Sequence, residues 1–477
     1  MIERIKATYI SASLPMKATI WFAVCQFLQK GISMLTTPIF TRLLSTEEYG
    51  LTSAFISWEN ILLILLNLSL AKVILNLCSK YDDGDLILNS IIKLNYLVFG
   101  LFTFLIIIFW PTFLDITKIG KELSICLLIC TFCQSLMSCW TVRCQYSYQY
   151  KRVVIMSLIY SVCTAFGGVL NILIFDNCAL SKILAQTIIL IIIGLMVTIF
   201  YIVFKRYKTD IRIWKYALNF CIPLLPHFLS EIVLSSSDRI MINNMCGSTD
   251  TAIYSIAYSV GNIIAMITGA INGAFAPYQY QKIKTKEYKA LAKNTNLIIA
   301  FVAICLVVIM LFGREIVLLF GGRKYVDSIS IIIPISLGVF FNYVFQLFAR
   351  VQEYYTQKHM IVIASISCAL LNIITNYIFI NVFGYKAAAY TTFACYLIFC
   401  WIHYLFYKLT CKKFIGKDIY DVKTLLVISA LLIGMSLLCS LLSKFLIIKI
   451  VLVLGGLAIV YCKREEIKRM FVQIVKI

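Results

Sequence analysis

Charge is scarce in this chain. Only 14% of its 477 residues are Asp, Glu, Lys or Arg, against 61% hydrophobic, and the charges fall in short clusters between apolar runs of roughly 20 residues, the length that spans a bilayer. No soluble core could bury so much apolar surface. Histidine is scarcer still: His227, His359 and His403 are the whole complement. They are scattered, and neither a Gly-rich phosphate loop nor a metal-spaced cluster accompanies them, so no cofactor or metal is expected. Long polar loops are missing on the outer side, which speaks against a membrane-bound glycan polymerase or ligase, since its catalytic groups need a sizeable outer loop. The N-terminus lacks the short apolar core and cleavage site of a signal peptide; its first apolar run is a full span and is expected to stay in the membrane.

What is present is a succession of spans. Apolar runs predict an all-α integral membrane protein with fourteen helices, at about 18–41, 49–77, 90–112, 122–145, 153–175, 179–204, 216–241, 251–276, 292–313, 326–349, 359–382, 387–407, 424–443 and 445–462. Pro38, Pro111 and Pro277 fall near ends, whereas Pro223, Pro226 and Pro334 lie inside and would kink their helices. With both termini on the cytoplasmic side of the membrane, 30 of the 43 basic residues fall inside and 11 outside; the opposite orientation inverts the bias. The net charge of +21 is spread loop by loop on that side, as in Lys282, Lys284, Lys286, Lys289 and Lys293. It points to the anionic inner leaflet rather than to nucleic acid. Eighteen cysteines lie almost all within apolar spans, where they act as small hydrophobes. Cys130 and Cys133 lack the strand and helix context of a redox motif.

The chain also repeats itself. R-x-Q-x-x-Y-x-x-K occurs as Arg143, Gln145, Tyr148, Lys151 and again as Arg350, Gln352, Tyr355, Lys358, 207 residues on. Gln26-Phe-Leu-Gln-Lys30 is answered 201 residues later by His227-Phe-Leu-Ser-Glu231, and Gly50-Leu-Thr-Ser53 by Ala252-Ile-Tyr-Ser255 at 202. Duplicated halves suggest two lobes with a path between them: residues 1–205, residues 206–411, and an added two-helix segment at 412–477.

Ionisable groups inside spans are the strongest functional pointers, because each costs several kcal/mol at the bilayer centre unless it meets a partner or a wet cavity. Lys30, Glu59, His227 and Glu231 qualify, all near mid-depth at ~1.5 Å of rise per residue. Gln26, Lys30, Ser33 and Thr37 make one polar stripe on the first helix; Asn219, Pro223, His227, Glu231, Ser235 and Asp238 make a comparable one on the seventh. Matching stripes suggest two walls of one cavity, with Lys30 and Glu231 at equivalent places. The alternative is a structural ion pair between Lys30 and Glu59. Lys72 lies near an inner end and is expected to snorkel. Arg143 and Arg350 suit a phosphate at the inner mouth, where the guanidinium offers paired donors, or serve simply as positive-inside anchors. Gly261, Ala265, Gly269 and Gly273 recur every four residues and allow close helix packing.

Pro38-x-Phe-Thr-Arg42-Leu-Leu-Ser-Thr-Glu-Glu-Tyr-Gly50, Pro223-Leu-Leu-Pro226-His227, Ser237-Asp238-Arg239 and Tyr254-Ser-Ile-Ala257 resemble the oligosaccharide flippases of bacterial surface polysaccharide synthesis, in the multidrug/oligosaccharidyl-lipid/polysaccharide exporter superfamily. The resemblance covers residues 1 to about 411. It implies two six-helix bundles related by a pseudo-twofold axis and alternating access. The implied substrate is an undecaprenyl-pyrophosphate-linked oligosaccharide of O-antigen or capsule type. It further implies a cation-lined cavity, for which Lys30, Arg42, Arg143, Arg239 and Arg350 are the matching residues, and polysaccharide polymerase machinery as a partner. Glu59, His227, Glu231 and Asp238 are candidates for coupling to protons or sodium. A drug exporter of the same superfamily is the second reading; such proteins tend to carry a carboxylate in the N-terminal lobe, whereas the first helix here offers Lys30.

Overall fold

The computed structural model describes residues 14–175, 178–205, 207–442, 445–452 and 454; among them there are helices and turns and no strand. Packing divides the chain into two units, Met1–Ala252 and Ile253–Ile477. Among the described residues eleven helices are long and apolar enough to cross a membrane, or twelve when one bent pair counts as a single span. Each expected span through 424–443 falls on helical structure, 49–77 as a bent pair rather than one helix, whereas 445–462 lies largely outside the described residues. The first helix is not among the eleven: Gln26, Gln29 and Lys30 dilute its apolar run.

The first unit starts with α1 (Leu14–Leu43) and α2 (Thr46–Leu65). Ser45 is extended and its hydroxyl accepts the Glu48 N–H at 3.1 Å, which starts α2, and Glu47 and Glu48 set negative charge at the positive helix end. Leu68 and Ser69 then adopt φ of 48° and 54°. The chain resumes as a 3₁₀ turn, Leu70–Val73, and α3 (Ile74–Cys78), inclined at 51° to α2. There follow α4 (Gly84–Ile108), capped by Asp83, the short α5 (Trp110–Thr117), α6 (Lys121–Tyr146), α7 (Tyr150–Ile174) and α8 (Ala179–Thr198), the last running into a wide turn at Ile199–Phe204. Next is α9 (Ile211–Met245), capped by Asp210. The Arg212 side chain and amide, both donating to that carboxylate, hold it below the usual carboxylate range.

Two apolar cores stabilise this unit. One joins α2, α6 and α8 through residues such as Phe55, Leu127, Cys130, Ile183 and Leu190. The other joins the 3₁₀ turn, α3, α4, α6 and α9 through Leu70, Ile74, Leu77, Ile91, Ala217 and Cys221. At roughly 1.5–3 kcal/mol for each large apolar side chain withdrawn from water, these contacts outweigh any single polar pair in a soluble reference. In lipid the same close packing is favoured by dispersion.

The second unit receives most of α10 (Ser248–Lys284), followed by α11 (Tyr288–Leu311), the short α12 (Gly313–Phe320), a 3₁₀ stretch at Arg323–Ile331, and α13 (Ile332–Tyr354). It ends with α14 (Lys358–Phe383), α15 (Lys386–Phe414) and α16 (Val422–Leu442). Helix α15 packs on both α13 and α14, and α16 lies along α11. The buried Lys449 ammonium donates to both Glu315 carboxylate oxygens at 2.9 Å, which ties the chain after α16 to α12.

Candidate functional site

Helix α1 carries three faces. One lies on α7, with the Gln29 amide donating to the Ser157 carbonyl at 3.2 Å and the Cys25 thiol to that of Val154 at 3.9 Å. Gln26, Lys30, Ser33 and Thr37 occupy a second face, within about 60° of one another at roughly 100° per residue; the first three are exposed and Thr37 is half-buried. Opposite that stripe, Val24, Leu28 and Leu35 are also exposed. An apolar exposed face suits lipid, while a polar one on the same span requires water or solute. Among the described residues Lys30 makes no ion pair.

Glu59 does not meet Lys30. It is 8% exposed, and its carboxylate oxygens accept the Gln186 amide at 3.0 and 3.2 Å. That bond belongs to a polar seam between α2 and α8. The Glu48 carboxylate accepts the Ala179 N–H, capping α8 instead of closing a box on its own helix. One turn along, the Lys182 ammonium donates to Thr52 at 3.3 Å and lies over the Phe40 and Tyr49 rings. The ion pair between Lys30 and Glu59, the alternative drawn from sequence, is thus absent among the described residues, and Gln186 and Lys182 are partners that no spacing pattern announced.

On α9, His227 Nε2 lies 3.9 Å from Glu231 Oε1. The Glu231 side chain is 55% exposed, whereas Asp238 is 2% exposed. The bend after α2 carries Lys72 to the middle of α9, with its ammonium 3.6 Å from the centre of the Phe228 ring. Ser69 and Asn67, both buried at the bend, lie beside α9, where the Cys221 thiol donates to the Ser69 carbonyl at 3.9 Å. Arg42 and Arg239 each donate to a carbonyl one turn back on their own helix, Pro38 at 2.9 Å and Ser235 at 2.8 Å.

The two motif arginines are engaged differently. Arg143 lies 3.9 Å from Asp85, which also pairs with Lys205 at 3.1 Å, and it donates to Ser147. Its guanidinium lies where a side chain on Gly84 would otherwise begin. In the second unit Arg350 donates to Gln279 at 2.5 Å, Gln279 donates to Tyr420 at 2.9 Å, and Tyr420 donates to the Leu347 carbonyl at 3.1 Å. Beside it Gln352 donates to the His403 carbonyl at 2.9 Å and meets His403 Nδ1 at 3.1 Å.

Turn geometry explains the difference. After α6 the left-handed residue is Tyr148, and Gln149 N–H reaches the Cys144 carbonyl; after α13 it is Thr356, and Gln357 N–H reaches the Gln352 carbonyl. Gln149 therefore matches Gln357, one residue out of step with Arg143 and Arg350. A one-residue slip rotates a helical side chain by about 100°. The turns after α1 and α9 likewise match Ser45 with Gly247, each the residue before the next helix or turn, which aligns Lys30 with Ile232 rather than with Glu231.

The polysaccharide biosynthesis protein family matches residues 16–282, more than half of the chain, and the MatE family matches residues 223–378. A Shigella flexneri protein named as an O-antigen transporter is 27% identical over 247 residues, 48% of this chain and 54% of that one. Lsg locus protein 1 of Haemophilus influenzae is 23% identical over 152 residues, 30% of this chain and 37% of that one. The chain thus spans about half, or less, of the length of these curated relatives. The inward closed lipid II flippase MurJ has a TM-score of 0.68 at 16% identity, covering 94% of this chain and all of that one. An inward-facing multidrug resistance MATE transporter has 0.65 at 12%, covering 80% and 95%. These two structures share the fold. A multi-pass helical chain with charges held inside its spans and a family match over more than half its length belongs to the polysaccharide biosynthesis protein family of the multidrug/oligosaccharidyl-lipid/polysaccharide exporter superfamily.

Proposed function

We propose that the protein is a flippase that carries undecaprenyl-pyrophosphate-linked oligosaccharide units from the inner to the outer leaflet of the bacterial cytoplasmic membrane by alternating access, with both termini inside. The observation that carries this reading is the exposed polar stripe of α1, whose only charge is the Lys30 ammonium, without an ion pair among the described residues. A pyrophosphate presents oxygens that such a cation binds, and sugar hydroxyls suit the flanking Gln26, Ser33 and Thr37. Arg42, Arg143, Arg239 and Arg350 are the further cations assigned to the substrate. The name of the Shigella relative supports the choice of a surface-polysaccharide precursor. The fold is equally that of drug exporters, and for an organic cation a lone ammonium on the wall would be repulsive.

Glu59 is the proposed coupling carboxylate, with His227, Glu231 and Asp238 as further members of the response to a proton or sodium gradient. A buried carboxylate held by a neutral amide changes its balance with the surroundings on taking up a proton or a cation, and so biases one conformation over another.

Purified protein in vesicles with undecaprenyl-pyrophosphate-linked sugar on one leaflet tests this. Wild type is expected to move the lipid, and Lys30→Ala to weaken its binding about 10- to 100-fold, the worth of a charge-assisted bond. Glu59→Gln is expected to keep binding and lose the response to an imposed gradient. Transport of an organic cation with the lipid left in place would reverse the choice in favour of the exporter.

A further inference from the structure

We propose that Lys72 is an additional anion-binding residue of the first unit, held in reserve on the face of Phe228 and released to the pyrophosphate of the substrate. This rests on the flippase reading above and adds to it a residue that the resemblance does not supply.

Lys72 lies in the 3₁₀ turn Leu70–Val73 just past the break in the second span. It is exposed, yet its ammonium is turned onto the Phe228 ring at 3.6 Å. Among the described residues the ammonium donates no hydrogen bond and forms no ion pair within 4 Å, so its three donors are unspent on protein oxygens. An exposed lysine within a span is tolerable only beside water or solute. Its neighbours on α9 are polar, Glu231 open and His227 half-buried, so the side that Lys72 faces suits water or solute rather than lipid.

A ring face holds a cation weakly compared with a phosphate. Cation–π attraction is modest, whereas charge-assisted bonds to phosphate oxygens are about twice as strong as neutral ones and several can form at once. An arriving pyrophosphate thus outcompetes the ring, and the parked conformer reduces the apparent affinity by its own population. Loosening the parking spot should then improve binding. A lysine that merely braced α9 would behave in the opposite way.

The test is the apparent Kd of the full-length protein in nanodiscs for undecaprenyl pyrophosphate, and for inorganic pyrophosphate, followed by thermal stabilisation. Lys72→Gln should weaken binding of the lipid about tenfold or more and Lys72→Arg should restore most of it, since a guanidinium supplies the same charge and more donors. Phe228→Leu should tighten binding about threefold, within the range set by the loss of a cation–π contact. Equal binding by wild type and Lys72→Gln would overturn the assignment and leave the flippase reading standing. Weaker binding by Phe228→Leu would also overturn it, because the ring would then be a support and not a reserve. If wild type itself bound neither pyrophosphate, both readings would fall together.

Discussion

At the scale of single residues, Gly84 controls Arg143. A methyl group at position 84 would fall on the guanidinium, and because that is the tip of a flexible side chain the clash is relieved by rotating it away, at little expense in stability. Gly84→Ala should therefore leave the unfolding midpoint close to wild type and separate Arg143 from Asp85. If Arg143 receives the substrate at the inner mouth, transport by this variant should fall toward that of Arg143→Ala. Full transport by both would reduce the arginine to a topology signal. The R-x-Q-x-x-Y-x-x-K match was readable in sequence, but its one-residue offset from the turns was not. Identity of letters follows chemistry, whereas register is set by which carbonyl each turn amide reaches. The partners Gln186 for Glu59 and Phe228 for Lys72 were equally invisible, since each comes from a different helix far along the chain.

Among the helices, α2 comes very close to the start of α10 at Gly50. A Cβ on Gly50 would meet the backbone of Ser248, carbonyl oxygen foremost, and backbone at a helix start cannot swing aside. Gly50→Ala should destabilise by about 1–3 kcal/mol, the usual penalty of overpacking, seen as a lower unfolding midpoint in detergent. An unchanged midpoint would show that the two helix starts have slack. The faces of α1 were legible from spacing alone, because 100° per residue separates Gln26, Lys30, Ser33 and Thr37 from Val24, Leu28 and Leu35. The seam between α2 and α8 was not, because the use of Glu48 as the cap of α8 depends on tertiary packing.

For the whole molecule, the positions of the spans were legible because apolar runs and basic loops are dictated by the bilayer itself. The orientation that follows can be checked with single cysteines in a cysteine-free background. An impermeant thiol reagent added outside should reach residues placed at 43–48 and 243–250 and miss those at 278–291 and 411–420. Outside labelling of 278–291 would invert the topology. The break in the second span escaped the sequence because neither glycine nor proline marks it; Leu68 and Ser69 take left-handed backbone at a cost of roughly 1–3 kcal/mol each, and only surrounding structure can hold them there. That support includes Cys221 at the Ser69 carbonyl and Ile213 and Ala217 in the core around Leu70 and Ile74. It follows that the bend has an order of assembly. A chain made from its N-terminus inserts residues 49–77 well before Ile213, Ala217 and Cys221 exist, so the nascent second span has no reason to be bent. Its final shape, and with it the placement of Lys72, waits for a helix synthesised more than a hundred residues later.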